Sequence, residues 1–354
     1  MERIWWERVP NALNFVSTVV DQLRQEKSVV VHCGGALPWS GHFTRAVQYA
    51  LMQGDGSKSI RTLEDAGSPG QYLLAEFCRP ERRAAYRPSK SCAQFLAECD
   101  DAALHSHYLI VRVRSESALA LWEDFISEYV RARSKGLERA AFMLLFSGAH
   151  IPAARKGICT LSFDAAISEY DRIVFATQAA AALNAAPSVK SYLTELAAHV
   201  AGSDMELCAA CIRRSDEFLQ SPWPLMQRIA AEQTRSDGAP FALNCSESDV
   251  NAMIWRAQIR AIYPRLEEYR EAFIKRHRAA LRSILPIKAA PGEIYISPED
   301  LELGKLLYLA SAGQLPLTPA EYDRLERYKN ARNSLSHLTP LSYDDICALG
   351  LVPR

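Results

Sequence analysis

Short apolar runs alternate with amphipathic helical patterns through the first half of the chain, and this alternation constrains the fold more than any other feature. Residues 11–24 (NALNFVSTVVDQLR) set Ala12, Phe15, Val16, Val19, Val20 and Leu23 at helical spacing, and 27–33 (KSVVVHC) follow as a compact apolar run. Runs of the same kind recur at 107–113 (HYLIVRV), 141–146 (AFMLLF) and 172–177 (RIVFAT), separated by helical patterns such as 118–133 (ALALWEDFISEYVRAR). A strand covered on both faces reads as continuously apolar instead of alternating. The pattern therefore predicts a parallel sheet clothed in helices. Past residue 180 the strand signals stop and helical patterns take over. The expected fold class is α/β then all-α: an α/β domain over 1–180, a helical middle region over 181–240 and a helical bundle over 241–354.

Explicit caps mark the last third. Ser297-Pro298-Glu299-Asp300 and Thr318-Pro319-Ala320-Glu321 each place a hydroxyl at N-cap, proline at N1 and an acid at N3, so both predict helix starts. The second helix runs through Leu325, Tyr328, Leu335 and Leu338 to a stop at Pro340, and Ser342 caps a short final helix that Gly350 ends. Residues 246–262 and 264–285 read as a long amphipathic helix interrupted at Pro264, and the polar stretch 233–239 (QTRSDGA) is the best domain boundary. The last four residues, LVPR, equal the stub left by thrombin cleavage of a tag and are given no functional weight.

The 41 basic and 41 acidic residues cancel, so no global field draws the chain to nucleic acid or to anionic membrane. A composition 49% hydrophobic and 23% charged excludes a largely disordered or collagen-like chain. No apolar run reaches the length of roughly eighteen residues that spans a bilayer, and the opening MERIWWERVP carries charges where a signal peptide needs an apolar centre. A cytoplasmic location without membrane contact is expected. The nine cysteines, odd in number and scattered, fit reduced buried thiols. Cys208 and Cys211, the one close pair, lack a second pair at finger-like spacing and read as core thiols on a helix, so no metal is expected there.

A nucleotide-binding α/β domain cradles phosphates in a glycine-containing turn between strand and helix. Here that turn is His32-Cys-Gly-Gly-Ala-Leu-Pro-Trp-Ser-Gly-His42, with no lysine between Lys27 and Lys58, and Pro38 removes an amide. The strand that should end in a magnesium-binding acid ends Val111-Arg112-Val113-Arg114 instead. Neither a P-loop nor G-x-G-x-x-G is present. The order of strands and helices, with the Trp122-centred helix after the 107–113 run, resembles an AAA-type ATPase core, a P-loop-NTPase-like domain without its catalytic parts. An α/β domain that never bound nucleotide fits equally. Both readings predict no ATP hydrolysis and no bound cofactor.

The stretch Tyr328-Lys-Asn-Ala-Arg332-Asn333-Ser-Leu-Ser-His337 holds the one constellation suited to chemistry. Asn333 and His337, four apart, share a helix face, while Arg332 lies about 140° from His337 and must swing its side chain round. An imidazole moves a proton near neutral pH, and a guanidinium neutralises charge growing on a phosphodiester. The pattern of arginine, polar residue, three residues and histidine resembles the HEPN superfamily over 241–354. That resemblance implies a helical bundle and a metal-independent ribonuclease acting as a dimer, with Arg332, Asn333 and His337 as catalytic residues. It also implies a bacterial conflict or phage-defence effector that cleaves or binds RNA, working as a homodimer or with a partner protein.

The other reading is a non-catalytic regulatory or scaffolding subunit built from a pseudo-NTPase and a helical interaction domain. In it His337 bonds the last helical carbonyls, Arg332 pairs with Asp323 or Glu326, and Asn333 satisfies a loop. His32, His42, His105 and His107 read as core or rim residues. The basic stretch from Arg256 to Arg282 reads as a solvated helix face, tempered by Glu267 with Arg270 and Glu271 with Lys275. Arg79, Arg82, Arg83, Arg87 and Lys90 with Tyr86 form a second basic patch.

Overall fold

A computed structural model describes residues 1–54, 58–134, 136–288 and 294–352, so two residues of the LVPR tail, Pro353 and Arg354, lie outside the described residues. The chain divides into two units, Met1–Phe175 with Arg235–Ala239, and Ala176–Thr234 with Pro240–Arg354. The architecture is the α/β-then-helical one that the sequence predicts.

In the first unit β1 (Ser28–Cys33), β2 (Ser59–Leu63), β3 (His107–Val113), β4 (Ala141–Ser147) and β5 (Ile158–Ser162) form one parallel sheet in the order β2-β3-β4-β1-β5. Val30 lies opposite Leu144 and Thr160, and Leu109 opposite Phe142, which sets the alternation of the two faces. One face presents Val30, Leu109, Val111, Phe142 and Leu144 to Trp122, Ile126 and Tyr129 of the Glu116–Ala132 helix. Elsewhere in this unit the helices Glu2–Arg8, Pro10–Arg24 and Ser40–Gly54 supply Trp5, Trp6, Phe15 and Phe43 to an aromatic cluster with Phe163 and Phe175, Trp6 and Phe43 having ring centroids 4.9 Å apart. Both tryptophans of the charged opening segment are fully buried. Each such aromatic stabilises by about 1.5–3 kcal/mol relative to an exposed one.

The run at 172–177 is not a strand. It lies in the helix Glu169–Ala181, where Phe175, Ala176, Ala179 and Ala180 are buried at helical spacing and the Asp171 carboxylate accepts the Ser168 N–H at the helix start. Burial pushes the Asp171 carboxyl up, but hydrogen bonds from Ser168 and Asn11 outweigh it and hold the group below the usual range.

In the second unit the Pro187–Val200 helix packs along Glu247–Ala261, so the helical middle shares a compact unit with the C-terminal helices. Pro264 sits at the start of a separate helix, Tyr263–Ile284. An antiparallel pair of two-residue strands, β6 (Ile287–Lys288) and β7 (Ile294–Tyr295), adds strand structure that the sequence did not signal. The Ser297 cap opens only the 3₁₀ turn Pro298–Asp300, because Leu301 is extended and fully buried; the helix proper is Leu303–Ser311. The capping boxes at Thr318 and Ser342 start Pro319–Ser336 and Tyr343–Ala348 as their spacing predicts. Among the described residues no helix is long and apolar enough to cross a membrane.

Candidate functional site

The Pro319–Ser336 helix buries Leu325, Tyr328, Ala331 and Leu335 and brings Arg332, Asn333 and His337 to its last turns. His337 is the C-cap residue, and its N–H donates to the carbonyls of Asn333 at 3.0 Å and Ser334 at 3.1 Å. Leu338 follows in the left-handed region at φ 61°, its N–H reaching the Leu335 carbonyl at 3.3 Å and that of Thr339 the Ser334 carbonyl at 3.0 Å. This is a Schellman ending with leucine where glycine is usual.

Two side chains of the Glu247–Ala261 helix hold that ending in place. The Trp255 indole donates to the Leu335 carbonyl at 2.8 Å. Gln258, only 1% exposed, accepts the Leu341 N–H at 2.7 Å and donates to the Leu341 carbonyl at 3.0 Å and the Tyr192 hydroxyl at 3.1 Å. The carbonyls of Asn333, Ser334 and Leu335 thus have other donors. The exposed ring of His337 makes no hydrogen bond, ion pair or ring contact among the described residues, so His337 meets the last helical carbonyls through its backbone N–H and not through its ring.

Arg332 is half-buried, and its partner is neither Asp323 nor Glu326. Its guanidinium donates to Glu302 at 2.9 Å, while its Nε is buried with no hydrogen-bond partner among the described residues. The amide of Asn333 makes no hydrogen bond among them. Asn333 and His337 share a face one turn apart, but no hydrogen bond or ion pair joins either side chain to Arg332. Sequence reasoning missed Glu302 and Gln258, which no local spacing connects to the motif.

The strand-to-helix turn of the first unit holds a carboxylate of its own chain. The Gly34 N–H donates to Asp164 at 2.6 Å, and the Cys33 thiol lies 3.8 Å from the other carboxylate oxygen. Burial, with Asp164 adding, pushes the Cys33 thiol up to about 12. The Arg235 guanidinium donates to the Ala36 carbonyl at 3.3 Å, and the Pro38 carbonyl accepts the Trp6 indole at 2.9 Å. Arg112 donates to the Ser40 hydroxyl at 2.7 Å, and the Arg114 N–H is bound by Asp65.

The remaining candidates resolve into packing. His32 donates to the Gly148 carbonyl at 2.8 Å, His42 faces Glu7 at 3.2 Å, and His107 donates to the Ala103 carbonyl at 2.6 Å. His105 accepts from the Tyr129 hydroxyl at 2.6 Å and donates to the Cys99 carbonyl at 2.9 Å, and burial pushes its imidazole below the usual value. Cys208 and Cys211 are fully buried, and burial pushes Cys211 up to about 12.

On the basic helix Arg265 pairs with Glu268, Arg270 with Glu267, and Arg278 with Glu299, leaving the Glu271–Lys275 spacing unused. In the 79–90 patch Arg82 pairs with Asp101 and Lys90 with Glu98. Among the described residues no group of three or more His, Cys, Asp or Glu side chains is arranged to hold a metal ion.

No family model matches the chain, and no curated protein matches it. Among solved structures it is similar to a chain of the Escherichia coli MS115-1 HORMA:CdnC:Trip13 complex, at 11% identity and a TM-score of 0.34, over 67% of this chain and 90% of that one. A likeness that distant bears on neither activity nor partners.

Proposed function

We propose that the second unit cleaves RNA without a metal through Arg332, Asn333 and His337, in the manner of the HEPN superfamily it resembles. The observation that carries this reading is the exposed His337 ring, without a hydrogen bond or ion pair among the described residues, at the end of a helix whose Asn333, Ser334 and Leu335 carbonyls already have other donors. A ring kept out of the local hydrogen bonding, on a backbone fixed by Trp255 and Gln258, is available for proton transfer.

In the reaction a base takes the proton of the ribose 2′-hydroxyl as its oxygen attacks the adjacent phosphorus. An acid then protonates the departing 5′-oxygen, giving a 2′,3′-cyclic phosphate and a 5′-hydroxyl. His337 supplies one of these proton transfers, and the same residue of a second copy supplies the other. Arg332, released from Glu302, neutralises the charge that grows on the phosphoryl oxygens. Asn333, one turn before His337, donates an amide hydrogen bond to the substrate. The dimer, the RNA target and a setting in bacterial conflict or phage defence are parts of this proposal that come from the resemblance.

One observation favours the scaffolding reading: Arg332 is already neutralised by Glu302. Incubating wild type, His337→Ala, Arg332→Ala and Arg332→Lys with a mixed RNA pool in EDTA, beside thermal melts of each, separates the two. Cleavage by wild type, its loss in both alanine variants and partial retention in Arg332→Lys are expected, since a point charge lacks the planar fork. The His337→Ala melt should stay within about 0.5 kcal/mol of wild type, because the exposed ring makes no hydrogen bond or ion pair among the described residues. An inactive wild type together with a strongly lowered His337→Ala melt would make His337 structural.

A further inference from the structure

The carboxyl ends of β1, β3 and β4 meet where the crossovers of the first unit diverge. The connection from β1 leads to β2 at one edge, and that from β4 leads past β1 to β5 at the other. Open parallel sheets hold ligands in the crevice at such a point. Here the crevice is a cavity of about 250 Å³ whose lining includes Leu37, Ser40, Arg112, Arg114, Ser147 and Asp237. All of these residues belong to the first unit.

We propose that this cavity binds a small phosphate-bearing molecule without a metal, gripped by the guanidinium groups of Arg112 and Arg114 and by the hydroxyl of Ser40. Arg112 is the penultimate residue of β3 and Arg114 directly follows the strand, and both line the cavity. Arg114 is prepared for a ligand in a specific way. Asp65 accepts its backbone N–H at 3.1 Å and also takes the Trp122 indole at 3.1 Å, while the exposed guanidinium makes no hydrogen bond or ion pair among the described residues.

Ser40 is 6% exposed and accepts from Arg112 at 2.7 Å, so its hydroxyl proton remains to be donated. That bond uses one of the five N–H groups of Arg112 and orients the rest. The lining carries two guanidiniums against the single carboxylate of Asp237, which accepts the Ala239 N–H at 3.1 Å. A phosphoryl group is matched by paired N–H donors of this kind, and the two positive charges do the work that a bound cation would otherwise do. The Gly34 amide does not take part, because Asp164 holds it. At about 250 Å³ the site lies below the usual range for drug-sized ligands, which restricts the molecule to a phosphomonoester or diphosphate with a small remainder.

The test is calorimetric titration of the full chain with inorganic pyrophosphate at low ionic strength in EDTA. Saturable one-to-one binding is expected, weakened about tenfold in Arg114→Gln and in Arg112→Gln and partly restored in Arg114→Lys. Added salt should weaken it further. Adenosine monophosphate and glucose 6-phosphate, titrated in parallel, show whether the phosphate comes on a nucleoside or a sugar. Arg114→Gln keeps the test decisive if Arg112→Gln melts early, since the Arg114 side chain makes no hydrogen bond or ion pair among the described residues. No saturable binding at millimolar pyrophosphate, or an affinity unchanged in Arg114→Gln, overturns the proposal. His337→Ala should bind as wild type does, so this result stands apart from any result on RNA.

Discussion

Replacing Gln258 is the sharpest test of how the end of the motif helix is held. The side chain is 1% exposed and makes three hydrogen bonds, two to the backbone of Leu341 and one to the Tyr192 hydroxyl. Gln258→Ala strands the N–H and C=O of Leu341 and one hydroxyl in surroundings where Leu341 and Tyr192 are themselves buried. Each stranded buried group costs about 1–3 kcal/mol, and water entering the vacated space recovers part of that, so the expected loss is about 3–5 kcal/mol. Gln258→Leu fills the space but makes no hydrogen bonds, and should lose nearly as much. Tyr192→Phe removes one bond and should lose about 1 kcal/mol. Urea unfolding followed by circular dichroism gives the loss, and amide exchange over 337–349 locates it. Under the proposed function, cleavage should also fall well below the melting temperature, because Leu341 stands four residues after His337. A Gln258→Leu variant within about 0.5 kcal/mol of wild type would refute the clasp as the support of this helix end.

Three further outcomes are expected. Leu338→Gly should stabilise the second unit by about 0.5–1 kcal/mol, because leucine is strained at φ 61° and its exposed side chain loses little; a lowered melt would contradict this. Acidification below about pH 6.5 should destabilise the first unit, since burial lowers the His105 imidazole and the unfolded chain then binds a proton that the fold refuses. The slope reaches at most about 1.4 kcal/mol per pH unit, flattens once pH falls past the folded value, and should shrink in His105→Gln, as urea midpoints between pH 7.5 and 5 would show. Glu302→Gln should change stability by less than about 0.5 kcal/mol, because the Glu302 carboxylate is solvent-exposed, yet raise RNA cleavage several-fold by freeing Arg332; a fall in cleavage would mean that Glu302 positions the arginine instead of masking it.

The strands readable in the sequence were those buried on both faces. β1, β3 and β4 occupy the middle of the sheet, where continuous burial demands continuous apolar runs. β2 and β5 lie at its edges and read Ser-Ile-Arg-Thr-Leu and Ile-Cys-Thr-Leu-Ser, with Leu63 and Ile158 as their only buried residues, so their polar positions hid them. The 172–177 run misleads for the converse reason: continuity does not distinguish a buried strand from a helix covered on most sides. The discriminating signal was the alanine-rich continuation to Ala181, together with Ser168 and Asp171 at the start. Around the motif, helix periodicity placed Arg332, Asn333 and His337 correctly in relation to one another, but the partners that decide their state come from 30 residues away in Glu302 and from another helix in Trp255 and Gln258.

What gives a free polar group meaning in either unit is whether its neighbours are already satisfied. An exposed histidine at a helix end is ordinary when the last carbonyls need donors, since the ring can supply one. Here the backbone of His337, Leu338 and Thr339 and the Trp255 indole meet that need for the Asn333, Ser334 and Leu335 carbonyls, so the ring is not called on to cap them. The glycine turn after β1 shows the opposite case: the Gly34 amide that could have met a phosphate is satisfied by Asp164, and the turn is finished without a ligand. Arg114 returns to the first pattern. Its backbone is tied to Asp65, Asp65 is shared with Trp122, and the guanidinium at the cavity wall makes no hydrogen bond or ion pair among the described residues. The same test that removes the turn as a phosphate cradle therefore selects Arg114 beside it, and it selects His337 over His32, His42, His105 and His107, whose rings have partners.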